Sequence, residues 1–176
     1  MSFKKYLLIF SRYFFYFQTT MNKDHHYKAT IHWTGNKGTG TSGYRNYERS
    51  HTIQIENKAL IEGSSDPAFR GDKTRHNPED MLLSSLSSCH MLWYLHFCSE
   101  EGIIVTDYKD EATAVMTETA DGSGHFTSVT LHPTVTVTEE SMIEKAKELH
   151  HKAGQFCFIA RSVNFPVEHI PTLLVK

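Results

Sequence analysis

The chain has 176 residues, with 18 Lys plus Arg against 20 Asp plus Glu and a formal net charge of -2. That length suits one domain with room for a core, and no run of like charge is long enough for a nucleic-acid arm or a polybasic lipid patch. Three cysteines, Cys89, Cys98 and Cys157, include no CxxC pair, which argues against a secreted disulfide framework or a zinc ribbon and fits a reducing cytoplasm.

Residues 1–20 read as an atypical leader. Lys4 and Lys5 precede an apolar stretch from Tyr6 to Phe17, but it is short for a spanning helix, Arg12 interrupts it, and no small-residue cleavage site follows. A disordered or non-native start is expected there, with a peripheral anchor as the alternative and no membrane insertion; residues 21–176 form the single domain. Twelve histidines are present, but none sits in HExxH or another familiar ligand motif, so no intrinsic metal site is expected.

From Tyr27 the residues Tyr27, Ala29, Ile31 and Trp33 alternate with polar ones, as in a half-buried strand. Gly38-Thr39-Gly40-Thr41-Ser42-Gly43 fits GxGxxG, yet Tyr44 to Ser50 carries no apolar helical stripe, so a β-turn is expected rather than a dinucleotide loop. A second extended stretch passes through Thr52 to Ile55. Asn77-Pro78-Glu79-Asp80 then gives a helix start: a capping Asn, a Pro at the first helical position, and acids against the positive end of the dipole. This helix is expected to run to Glu101, with Gly102 ending it. It is apolar over most of its circumference, as befits a central or interface helix.

Beyond it, Ile103 to Val105 and Ala112 to Thr119 read as extended, Asp121 to Gly124 as a turn, and Val129, Leu131, Val135 and Val137 as a strand. Met142, Ala146, Leu149 and Ala153 recur at helical spacing behind a Thr138 cap, with Gly154 ending that helix and a last strand near Val163 to Val167. Strands, helix, strands, helix is an α+β order.

Any one cysteine is most often a small buried core residue. Cys98 lies nine residues after Cys89 on the central helix, hence on the opposite face, and is assigned a structural role. Cys89 sits among Ser84, Ser85, Ser87 and Ser88, small enough to leave the thiol accessible. Cys157 follows Gly154-Gln155-Phe156 at an expected fresh helix start, where the dipole favours a thiolate. A thiolate attacking a peroxide needs an electropositive pocket, which arginine supplies at all working pH values and a carboxylate can hold in place. Arg70 and Arg75 precede the central helix and Glu79 opens it, although a solvated charged loop with a capping acid would read the same way.

The segment Asp66-Pro67-Ala68-Phe69-Arg70-Gly71-Asp72, followed by Asn77-Pro78-Glu79 and Cys89 ten residues after that Glu, resembles the OsmC/Ohr family, in its OsmC-like branch. Phe156-Cys157-Phe158-Ile159-Ala160 extends the resemblance, which covers roughly Tyr27 to Lys176. It implies an α+β, OsmC-like fold: antiparallel sheets wrapped around a long central helix in an intertwined homodimer with two interface sites. By the same resemblance Cys89 is the peroxidatic thiol, Cys157 the resolving thiol, Glu79 the carboxylate that positions an arginine, and Arg70 that arginine, with Arg45, Arg49 and Arg75 as alternatives. His90 departs from the aromatic residue common in that position.

The implied activity is reduction of organic hydroperoxides through a Cys89 sulfenic acid and a Cys89–Cys157 disulfide, with an external dithiol or lipoyl-type reductant and no cofactor. Two other classes compete. One is a non-catalytic dimer binding an apolar or acyl molecule; the other is a Cys-His hydrolase using His90 or His96, disfavoured because His90 lies a quarter turn from Cys89 and His96 two turns along.

Overall fold

The computed structural model describes residues 23–176, so the expectation of a leader at residues 1–20 lies outside the described residues. The elements run β1 (Thr30–Trp33), β2 (His51–Gln54), β3 (Ile61–Gly63), α1 (Pro78–Glu100), β4 (Val105–Asp110), β5 (Thr113–Glu118), β6 (Gly124–Leu131), β7 (Pro133–Val137), α2 (Ile143–Phe156), β8 (Val167–His169) and β9 (Thr172–Val175). They form three three-stranded sheets, β1-β2-β3, β4-β7-β9 and β5-β6-β8. No helix among the described residues is long and apolar enough to cross a membrane.

The first sheet is an antiparallel meander whose β1–β2 connection holds the glycine-rich segment. Asn36 Oδ1 accepts from the Gly38 and Gly40 amides at 2.8 and 3.0 Å, and both glycines have positive φ, so the segment is a side-chain-braced turn. All four β1 residues are exposed in the single chain. The sheet joins the body through Gly63, whose neighbour Ser64 donates its amide to His76 O at 2.9 Å.

Between β3 and α1 the chain makes a tight 3-10 turn at Pro67–Phe69, with Asp66 Oδ1 accepting from the Ala68 amide. A Cβ on Gly71 would fall 1.5 Å from Ser65 O, so glycine is required where the chain doubles back on itself. Asn77 caps α1 through an accepted bond from the Asp80 amide at 2.7 Å, and Gly102, at φ 71, follows the helix's last turn.

Leu86, His90, Tyr94, Phe97 and Cys98 form the buried stripe of α1, spaced three and four residues apart with Cys98 beside Phe97. The upper half of the stripe places Leu86 on Val129 and Leu131 of β6, with Val167 and Phe165 alongside. The lower half places Tyr94, Phe97 and Cys98 on Val135 and Val137 of β7 and on Ala146, Leu149 and Ala153 of α2. Each fully buried aliphatic side chain here contributes about 1.5–3 kcal/mol. One helix thus nails two sheets together.

Three expectations are corrected. The apolar run from Val129 to Val137 is two strands, broken at His132, and they belong to different sheets. Gly154 lies inside α2, which begins at Ile143 after Met142 rather than behind Thr138. The C-terminal strand region is β8 and β9, each pairing in parallel with an earlier strand, rather than one strand at Val163 to Val167.

Candidate active site

Cys89 stands one residue off the buried stripe of α1, next to His90, and is half-buried, whereas Cys157 is 1 % exposed. The two thiols are neighbours, near enough for Cys89 to act on the ionisation of Cys157. Burial, and then the neighbouring Cys89 thiol, push the Cys157 thiol up to about 11. Cys98 is buried against Tyr94 in the lower core, away from this pair, as its spacing requires.

Cys157 is the residue that ends α2, not one that starts a helix; its amide donates to Ala153 O at 2.9 Å. The dipole there opposes a thiolate. A partial remedy comes from the next short turn, where the Ala160 amide donates to Cys157 Sγ at 3.4 Å. The expected helix-start stabilisation is therefore replaced by one local amide.

Glu79, in the first turn of α1, has a buried Oε2 with no hydrogen-bond partner. An orphaned carboxylate oxygen is costly, which makes it a waiting acceptor. Among the described residues no ion pair joins an arginine to it. Arg75 faces Glu62 and Asp72 at 3.7 and 3.6 Å. Arg49 lies 4.3 Å over both the Tyr44 and Tyr47 rings and donates to their carbonyls. Arg70 is exposed at φ 67, 5.9 Å from the Tyr44 ring, and Arg45 is exposed in the β1–β2 connection. Within one chain, then, the two sulfurs come together but the guanidinium and Glu79 do not.

A group of histidines borders the thiols that the sequence reading did not single out as a unit. His90 Nε2 lies 3.0 Å from His150 Nδ1 with the rings stacked, and His169 is 5.3 Å from His90 between ring centroids. Tyr94 stacks on His150 at 3.9 Å. Burial, with neighbouring imidazoles adding to it, lowers His90 to about 4 and His150 to about 3, and it also lowers His169. A signal existed in the sequence: His150 lies four residues after Ala146 and three before Ala153, on the apolar stripe of α2. Among the described residues no three His, Cys, Asp or Glu side chains are arranged to hold a metal ion.

Residues 71–170 match the family model for OsmC-like protein. The fold is similar to that of an OsmC-like protein of unknown function from Vibrio cholerae O1 biovar eltor str. N16961, with a TM-score of 0.76 and 26 % identity over 84 % of this chain and 99 % of that one. It is also similar to an organic hydroperoxide resistance protein from Elizabethkingia anophelis, at a TM-score of 0.64 and 18 % identity, covering 89 % and 100 %. Among curated sequences, the uncharacterized protein YmaD of Bacillus subtilis (strain 168) is 24 % identical over 149 residues, 82 % of this chain and 91 % of that protein. With its central helix, flanking sheets and more than half of its length matched, the chain belongs to the OsmC-like protein family.

Proposed function

We propose that the protein is a thiol-dependent peroxidase that reduces organic hydroperoxides to alcohols, with Cys89 as nucleophile and Cys157 as resolving thiol. The observation that carries this reading is the closeness of the two thiols, which lie 68 residues apart in sequence. Structural neighbours named for organic hydroperoxide resistance, from Elizabethkingia anophelis and Bacillus subtilis, support the substrate class.

In the cycle, the Cys89 thiolate attacks the terminal peroxide oxygen, the O–O bond breaks, and the alkoxide leaves with a proton as ROH. Cys157 then attacks the Cys89 sulfenic sulfur, forming the S–S bond and releasing water. An external dithiol or lipoyl-type reductant reopens the disulfide, and no haem, flavin or metal takes part. The arginine that steadies the alkoxide is supplied to Glu79 by a second copy in a homodimer, from Arg70 or the nearby Arg45, Arg49 or Arg75. The unpaired Glu79 Oε2 and the exposed β1 support that arrangement.

The test is consumption of cumene hydroperoxide in the presence of a dithiol. Wild type is expected to turn over, Cys89→Ser to lose at least 10³-fold, and Cys157→Ser to complete the first reduction while failing to form the intramolecular disulfide. A wild-type protein that consumes no peroxide overturns the reading. It would favour instead the non-catalytic dimer, for which the partly apolar cavity beside Cys157 would hold the ligand.

A further inference from the structure

A buried sulfur can be reached only through a hollow, and Cys157, at 1 % exposure, borders one of about 250 Å³. Its walls include Leu86, Leu131 and Val167 on the apolar side and His90, His151 and His169 on the polar side. Cys89 is not among them, and neither is any Lys, Arg, Asp or Glu. Gly154 contributes to the wall without a side chain, and a Cβ there would approach His169 Cε1 to 3.5 Å. Cys89, half-buried, therefore has its exposed side elsewhere.

We propose that this hollow is the port through which the reductant acts: an uncharged alkyl dithiol enters it and attacks the Cys157 sulfur of the Cys89–Cys157 disulfide. The inference rests on the peroxidase reading above, because it needs that disulfide. In the first step a bond forms between the entering sulfur and Cys157 Sγ, the Cys157–Cys89 bond breaks, and Cys89 departs as a thiolate. The entering thiol's proton goes to the His169 imidazole, which faces the same hollow.

In the second step the other thiol of the reductant attacks its own mixed disulfide. It forms the cyclic disulfide and expels Cys157, which recovers a proton from His169 and keeps its bond from the Ala160 amide. The proton of that second thiol passes to Cys89 or, by way of His151, to water. Two electrons move from the dithiol to the protein disulfide, and all atoms are accounted for.

Two physical points favour this direction of attack. A disulfide opens faster when the less basic sulfur leaves, and the Cys157 thiol is held up at about 11, so expelling Cys157 in the first, intermolecular step would be the slower choice. Its later expulsion is intramolecular, where the high effective concentration of the second thiol compensates. The hollow itself selects the reagent: burial keeps His90 uncharged at neutral pH, and no lysine or arginine lines the walls to pair with an anionic thiol.

The experiment uses the full chain with its disulfide formed by diamide, so that it does not depend on peroxide. 2-Mercaptoethanol is added, the reaction is quenched with iodoacetamide, and peptides are mapped by mass spectrometry. The mixed disulfide is expected on Cys157 with Cys89 alkylated, and 2-mercaptoethanol is expected to open the bond at least tenfold faster than glutathione at equal thiolate concentration. Val167→Phe, which fills the hollow, is expected to slow opening by 2-mercaptoethanol at least tenfold. A mixed disulfide found on Cys89 overturns the port while leaving the peroxidase standing. Equal rates for Val167→Phe and wild type do the same, and a protein in which diamide forms no Cys89–Cys157 bond overturns both.

Discussion

His90 and His150 are two imidazoles sealed in the interior and sharing a hydrogen bond at 3.0 Å, with His150 Nε2 left without any partner. Burial favours their neutral forms, so their folded pKa values lie below the ordinary 6.5. Protons therefore bind the unfolded chain more readily than the folded one. The stability held by the pair is complete above about pH 6.5 and declines as pH falls from there towards 4 and 3. Urea unfolding at pH 7 and pH 5 should show wild type losing on the order of 2 kcal/mol per histidine of the pair. His150→Leu should lose correspondingly less over the same interval, whatever its stability at pH 7, and an unchanged slope would contradict the assignment. Of this cluster the sequence disclosed that His90 breaks a family habit and that His150 falls on the apolar stripe of α2, but not that the two meet. His169 comes from a strand 79 residues after His90, and no spacing rule reaches so far.

At the scale of elements, α1 is anchored by a single acid at the end of β4. Asp110 accepts from Ser87 Oγ through Oδ2 at 2.5 Å and from the His132 amide through Oδ1 at 2.7 Å. It thereby ties the helix to the junction between β6 and β7. Asp110→Ala leaves a hydroxyl and a backbone amide unpaired in a half-buried site, which should cost about 1–3 kcal/mol in thermal or urea unfolding. Asp110→Asn, which keeps an acceptor, should lose less.

The helix itself was legible from its first turn to Gly102, because capping, a proline at the first position and a terminal glycine are local chemistry. The sheets were not. Val129 to Val137 alternates without interruption across two strands, since the inward period survives the break at His132 even though the hydrogen-bonding partners change. Cys157 shows the same limit: Gly154 suggested a stop, but an apolar stripe through Ala153 and the bond from the Cys157 amide to Ala153 O carry α2 past it.

For the whole molecule, the OsmC-like fold leaves large apolar side chains uncovered in one chain. Ile31 on β1 and Leu92 on α1 are each 63 % exposed. The proposed homodimer covers such surface and completes the Glu79 site at once. Leu92→Glu is expected to sediment at the mass of one chain where wild type sediments at twice that. It should also lose peroxide turnover by at least tenfold while keeping its far-ultraviolet circular dichroism; a dimeric, fully active Leu92→Glu would sink the arrangement.

The crossing at His132 carries a mechanical consequence. One residue links β6 to β7, α1 is pinned to both of their sheets, and β8 and β9 repeat the link from the other side through Ile170 and Pro171. Neither sheet can peel away alone. Deuterium labelling should therefore find the amides of β6, β7 and α1 opening together in one global event, whereas those of β1 to β3, which pack chiefly on each other, should admit solvent in an earlier and cheaper step.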